Sequence, residues 1–181
     1  WLKDGVPYVV TTSFAVHRND ANDNTHSWLN IEPGTEVQFY PGMELSIGST
    51  TGQSGHWGGL QAEGVTFTAF DQTNPWTGIK FNNKSWDADS ISNYLKDCTI
   101  ENGEYNYVGS ADPYIKNVLF ENFIETALRC ESSSPFITNS TFRNNVDAIY
   151  ADGGSTPLIE KNHFYNNERA IHQETSNNHN Y

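Results

Sequence analysis

Residues 135–145 read PFITNSTFRNN, and close variants flank them at a fixed interval: PYIKNVLFENF begins at Pro113 and PLIEKNHFYNN at Pro157. Pro113, Pro135 and Pro157 stand 22 residues apart. Ile115, Ile137 and Ile159 keep that interval, as do Phe120, Phe142 and Phe164, and Asn122, Asn144 and Asn166; Asn102 precedes the asparagine series by 20. A unit this short cannot bury its apolar face alone, so a constant period in this range predicts a solenoid in which each repeat stacks on the next.

The local pattern inside each repeat distinguishes helical from strand coils. Val118, Phe120 and Asn122 alternate with Leu119 and Glu121, and Ser140, Phe142 and Asn144 form the matching set. Alternation with period two over short runs predicts strands, with these sets pointing inward. Clusters of Asn, Gly, Ser and Pro between the runs supply tight corners. A second apolar pair follows in each repeat, in ALRC, AIYA and AIHQ, with Leu128, Ile149 and Ile171 expected inside and Arg129, Tyr150 and His172 outside. The first of these repeats has one extra residue between Phe120 and Leu128, which a turn or bulge can absorb. Upstream the repeat loosens into alternating runs at Leu29–Ile31, Val37–Phe39 and Leu45–Ile47, with a variable loop near residues 50–59. The expectation is all-β: one solenoid of short strands in ~22-residue coils over residues 1–181, either whole or a segment of a longer chain. In register, like residues stack on like, and the asparagine column Asn102, Asn122, Asn144 and Asn166 is expected to form an amide ladder at a corner.

Composition narrows the partners. The formal net charge is −12, and the 10 basic residues form no patch, so nucleic acid and anionic membrane surfaces are excluded as expected partners. No apolar run reaches the length of a membrane span. Richness in Asn, Ser and Thr fits a secreted or cell-surface protein. Cys98 and Cys130 form no metal motif, fall in different columns, and read as small buried residues rather than a disulfide.

The runs LNIEPGTEVQFYPGMELSIG, GLQAEGVTFTAF and PWTGIKF, followed by coils of the form I-x-N-x-x-F-x-N-N, resemble the right-handed parallel β-helix repeat proteins of the pectate-lyase-like solenoid superfamily. The resemblance covers nearly the whole chain. It implies a fold and leaves function open, because this scaffold carries lyases, hydrolases, adhesins and structural surface proteins. It also makes a glycan groove natural.

Candidate site residues follow from the columns and loops. Trp57, Trp86 and Tyr150 are candidate sugar-stacking residues, and Trp76 in the PWTGI turn is expected to close the core. Asp147 and Glu168 each fall a few residues after their phenylalanine, with Glu125 in the coil before, and are candidates for a carboxylate pair. Lyases of the resembled class use a basic residue as base with calcium on carboxylates, which points to Arg129 and His172, with Tyr150 between them in one outward column. An ordinary exposed ladder is the competing reading of that column. Asp20, Asn22 and Asn24 alternate like the first ligands of a calcium loop, but Thr25 stands where the turn glycine belongs and Glu32 is one step late. Calcium is thus an optional ligand and no cofactor is required. Asn83 and Asn139 open the sequons NKS and NST. An outward column of Leu119, Thr141 and His163 excludes the flat threonine array of an ice-binding face.

These readings converge on a non-catalytic extracellular or cell-surface solenoid that assembles with copies of itself or binds a polysaccharide. Self-assembly has a motive in the unpaired strand edges of a terminal coil, since AIHQETSNNHNY offers no evident cap. The alternative is a polysaccharide lyase or glycoside hydrolase acting on an extracellular polysaccharide.

Overall fold

The computed structural model describes residues 1–2, 5–17, 27–49, 57–83 and 93–174, and every described regular element is a strand. Three strands make a coil. The first coil holds β1 (Tyr8–Val10), β2 (Phe14–Val16) and β3 (Ser27–Ile31), and the second β4 (Glu36–Phe39), β5 (Glu44–Ile47) and β6 (Gly58–Glu63). The third holds β7 (Thr66–Ala69), β8 (Gly78–Phe81) and β9 (Tyr94–Lys96), and the fourth β10 (Thr99–Glu101), β11 (Tyr105–Gly109) and β12 (Tyr114–Lys116). The fifth holds β13 (Leu119–Glu121), β14 (Thr126–Glu131) and β15 (Phe136–Thr138), and the sixth β16 (Thr141–Arg143), β17 (Asp147–Ala151) and β18 (Leu158–Glu160). β19 (His163–Tyr165) and β20 (Arg169–Gln173) begin a seventh. Equivalent strands pair into three parallel sheets: sheet I runs β1-β4-β7-β10-β13-β16-β19, sheet II β2-β5-β8-β11-β14-β17-β20, and sheet III β3-β6-β9-β12-β15-β18.

The 22-residue period fixes the register. Phe120 pairs with Phe142 and Phe142 with Phe164, their rings stacked at 4.7 and 5.2 Å with interplanar angles of 9° and 10°. Ile115, Ile137 and Ile159 form the aliphatic column of sheet III. Leu128, Ile149 and Ile171 form that of sheet II. Each fully buried side chain of this kind contributes about 1.5–3 kcal/mol. Trp76 is completely buried, stacks on Phe39 at 4.3 Å and donates its indole N–H to the Glu101 carbonyl at 2.9 Å.

The repeat motif I-x-N-x-x-F-x-N-N acquires a conformational meaning. Its first asparagine position, held by Asn117, Asn139 and by Lys161 in the last copy, is a left-handed corner between sheets III and I, with φ of 53°, 51° and 55°. Its second, Asn102, Asn122, Asn144 and Asn166, is a left-handed corner between sheets I and II, with φ of 58°, 60°, 57° and 55°. Asparagine tolerates this region better than other non-glycine residues. The corner breaks the period-two alternation, which corrects the inward orientation expected for Asn122 and Asn144: both are exposed, and the next residue, Phe123 or Asn145, turns inward instead.

The interior polar column is therefore the third asparagine position. Asn145 accepts from Phe123 N at 3.0 Å, Asn167 accepts from Asn145 N at 3.1 Å, and the Asn167 amide donates to the Phe142 carbonyl at 3.0 Å. Ser140 and Asn162 do the same at the other corner, accepting from Val118 N at 3.1 Å and Ser140 N at 2.7 Å. Corners lack strand partners, and these side chains pair backbone groups that would otherwise be buried unsatisfied. The extra residue of the fifth coil falls in the corner at the exposed Ile124, so β14 and β17 still pair regularly from Thr126–Asp147 to Cys130–Ala151.

Candidate functional site

The outward column of sheet II contains the basic residues singled out above. Arg129 pairs in register with Tyr150, and Tyr150 with His172. The Arg129 guanidinium lies 5.4 Å from the Tyr150 ring centroid, and the His172 ring meets Tyr150 edge-on at 5.1 Å. Arg129 is also paired with Glu131 at 2.5 Å, on the same strand. Its charge is already compensated and its face already covered.

The structure separates the expected carboxylate pair. Asp147 is 5% exposed and stands in register with Thr126 and Arg169. Glu168 donates its backbone N–H to the Asn145 carbonyl, which places it one position before that column, exposed to solvent. Asp147 takes both a Nε and a Nη2 hydrogen bond from Arg169, the latter to Oδ2 at 2.8 Å, and His172 Nδ1 lies 3.6 Å from the same oxygen. The guanidinium forks this carboxylate, so both of its oxygens are already engaged. Glu125 is exposed at the corner, where its carbonyl accepts from Asp147 N at 2.8 Å. The arrangement locks β20 onto β17 rather than flanking a scissile bond.

The sugar-stacking candidates do not share a face. Trp57 is half-buried where the chain enters β6 of sheet III, its carbonyl accepting from Ser27 N at 3.3 Å, whereas Tyr150 belongs to sheet II. Trp86, and the calcium candidates Asp20, Asn22 and Asn24, lie outside the described residues. Among the described residues no group of three or more His, Cys, Asp or Glu comes together to hold a metal ion, and no helix is long and apolar enough to cross a membrane. Asn83 and Asn139 are both exposed. Of the corner asparagines, Asn122 donates to Asn102 at 3.1 Å, but Asn144 turns to Glu121 at 3.0 Å. Cys98 and Cys130 are free and buried, and burial pushes their thiols up to about 11 and about 12.

Sheet III carries what residue-by-residue reading overlooked. Its outward column runs Tyr94, Tyr114, Phe136 and Leu158 on four consecutive rungs. The three rings are half-buried and Leu158 is 53% exposed. Tyr114 and Phe136 lie 5.5 Å apart and 39° from coplanar. Beside them runs Glu63, Lys96, Lys116, Thr138 and Glu160. The Lys96 ammonium sits 4.0 Å from the Tyr94 ring centroid and 5.8 Å from that of Tyr114. Tyr114, Glu63, Lys96 and Lys116 line an open groove together with the corner residues Asp97, Asn117 and Asn139. At ~4.8 Å per rung the aromatic and leucine column extends ~14 Å along the solenoid axis. The signal was present in NYLK, PYIK, PFIT and PLIE, where one ring or leucine precedes each inward aliphatic residue.

A family model described as right handed beta helix region matches residues 72–181. The chain belongs to the right-handed β-helix family. Membership agrees with the three stacked parallel sheets and with the right-handed crossovers general to parallel strands. It identifies a scaffold, and scaffolds of this kind do not dictate chemistry. Comparison with curated proteins and with solved structures returned no match. What this β-helix protein does must therefore be argued from its outward faces.

Proposed function

We propose that the protein is a non-catalytic, extracellular glycan-binding solenoid whose binding face is the outward surface of sheet III. The observation that carries this reading is the in-register column of Tyr94, Tyr114, Phe136 and Leu158 beside an open groove. Sugar rings present flat C–H faces that pack on aromatic faces, and their rims present hydroxyls. Polar partners for those hydroxyls border the column at Asn117 and Asn139. A linear glycan laid along the solenoid axis meets one ring per rung, so several weak stacking contacts add along one ligand.

Catalysis is disfavoured by the commitment of Asp147 to Arg169 and of Arg129 to Glu131. Binding is tested by titrating neutral and charged oligosaccharides into the protein by calorimetry, with reducing ends and unsaturated products assayed in parallel. Tyr114→Ala and Phe136→Ala should each weaken binding about tenfold, the equivalent of about 1.4 kcal/mol. Binding undiminished by either variant, or product release abolished by Arg129→Ala or Asp147→Ala, would replace this reading with the lyase or hydrolase one.

Self-assembly has its own support. Among the described residues β18, β19 and β20 each pair on one side only, and Leu158 and Ile171 on that rung are 53% and 51% exposed. An open rung with apolar positions accepts further strands. Light scattering across a concentration series tests it: a constant monomer mass removes this second reading and leaves the first untouched.

A further inference from the structure

The groove on sheet III contains a charge arrangement that a neutral ligand does not explain. Lys96 and Lys116 stand directly opposite each other on adjacent rungs of β9 and β12. Like charges at directly opposed positions destabilise a sheet. The chain has 22 acidic residues against 10 basic ones, so two facing lysines run against its overall charge. Among the other described cations Lys80 pairs with Glu44, Arg129 with Glu131, Arg143 with Glu121 and Arg169 with Asp147, while Lys161 stands exposed at a corner. Here, among the described residues, Lys96 meets two tyrosine rings and stands in register with Glu63, and Lys116 is exposed with no side-chain ion pair or hydrogen bond. Asp97, at the edge of the same groove, is engaged by the Asn117 amide. The acids of the column, Glu63 and Glu160, flank the lysine pair, Glu63 opposite Lys96 and Glu160 beyond Thr138.

Building on the glycan reading of this face, we propose that its ligand is a sulfated glycan, with a sugar ring on Tyr114 and one sulfate ester shared by the ammonium groups of Lys96 and Lys116. Two lysines on adjacent rungs, their backbones ~4.8 Å apart, suit an anion that offers acceptors in several directions. A sulfate ester has three terminal oxygens in a tetrahedral array and suits that approach. A planar carboxylate is matched instead by the bidentate fork of arginine, and no arginine lines this groove. A shared anion also offsets the like-charge opposition, since Glu63 stands opposite Lys96 alone and leaves Lys116 without a facing carboxylate. The Lys96 ammonium is held against the Tyr94 and Tyr114 rings, and Lys116 stays exposed to solvent.

The test is calorimetric titration of the whole chain with oligosaccharides of one backbone and length in three forms: neutral, carboxylated and O-sulfated, all with a chelator present. The sulfated form should bind about tenfold more tightly than the other two and lose that advantage as salt rises. Lys116→Gln should abolish the sulfate advantage and its salt dependence. Tyr114→Ala should weaken all three. Carboxylated binding equal to sulfated binding, or a Lys116→Gln variant with an unchanged sulfate preference, overturns the sulfate assignment and leaves the glycan face standing. If none of the three binds, both are overturned.

Discussion

Phe142→Ala is the sharpest test of the stacked interior. The ring is wholly buried and lies between Phe120 and Phe164, at 4.7 and 5.2 Å. Removing a core phenylalanine costs about 3–5 kcal/mol through lost transfer energy and the cavity left behind. Two parallel ring contacts, each about 0.5–1.5 kcal/mol beyond area burial, place this site in the upper part of that range, about 4–5 kcal/mol. Phe164 belongs to the same column but is half-buried and has a ring partner on one side only. Its truncation loses one ring contact and less buried area, so Phe164→Ala should cost about half as much. Urea unfolding followed by circular dichroism reads both. With a slope of about 2–3 kcal/mol per molar urea, the midpoint should fall by about 1.5–2 M for Phe142→Ala and by less than about 1 M for Phe164→Ala. Equal shifts in the two variants, or a shift below about 0.5 M for Phe142→Ala, would mean that the rings do not stack as a column, and the register of every outward face would fall with it.

Three further outcomes follow from local geometry. Burial raises the Cys98 and Cys130 thiols to about 11 and about 12, so neither should react with a thiol reagent at pH 8 in the native protein and both should after denaturation. Burial and the hydrogen bond to Glu131 push the Tyr107 phenol up to about 12. The folded state then holds that proton longer than the unfolded chain. Its contribution is complete below the unfolded phenol's value near 10 and is lost as pH rises from there toward about 12. A phenolate absorbance titration should show this late tyrosine in the native protein and lose it in Tyr107→Phe; identical titrations would exclude the pairing. Gly78 has φ of +141°, and an added Cβ would stand 2.0 Å from the Tyr105 carbonyl oxygen. Gly78→Ala should cost about 3 kcal/mol or more in thermal unfolding. Gly42→Ala, where φ is +70° and nothing lies within 4 Å, should cost only about 1–2 kcal/mol of backbone strain.

The columns were legible because identical residues recur at one interval, and a register slip would place Phe142 opposite something other than Phe120 and Phe164. What the sequence concealed was the direction of each side chain past a corner. Left-handed φ at Asn122 and Asn144 inserts a residue that belongs to neither face, and no alternation pattern reveals it. A one-residue offset, not the corner itself, sets Asp147 and Glu168 out of register. Asp147 is the fifth residue after Phe142, whereas Glu168 is the fourth after Phe164. One step of difference moves a side chain to the other face of a strand. The sheet III stripe escaped notice for a chemical reason: Tyr94, Tyr114, Phe136 and Leu158 are not identical, and the first interval is 20 rather than 22. They align only when the inward Leu95, Ile115, Ile137 and Ile159 are used as the ruler.

In a solenoid of this kind the interior leaves little room for chemistry. Inward positions must stack on their equivalents, and the polar residues admitted there, Asn145, Asn167, Ser140 and Asn162, are consumed in pairing corner backbone. Outward positions are free of that constraint, so recognition must be read from outward columns. Sheet II uses its outward column on itself: Lys80 lies over Tyr105 and Arg129 over Tyr150, each with a carboxylate partner. The outward column of sheet I is likewise engaged, with Thr68 donating to Glu101 and Arg143 joining Glu121 to Tyr165. Sheet III alone, among the described residues, sets a continuous apolar column beside an uncompensated lysine. A ligand matched to such a face must repeat along the axis, since the protein offers equivalent contacts at every rung. That requirement favours a linear polymer over a compact small molecule and predicts affinity that grows with oligosaccharide length until the ~14 Å column is spanned, then levels off. Affinity that is already maximal for a monosaccharide would show that one rung, and not the repeated face, makes the site.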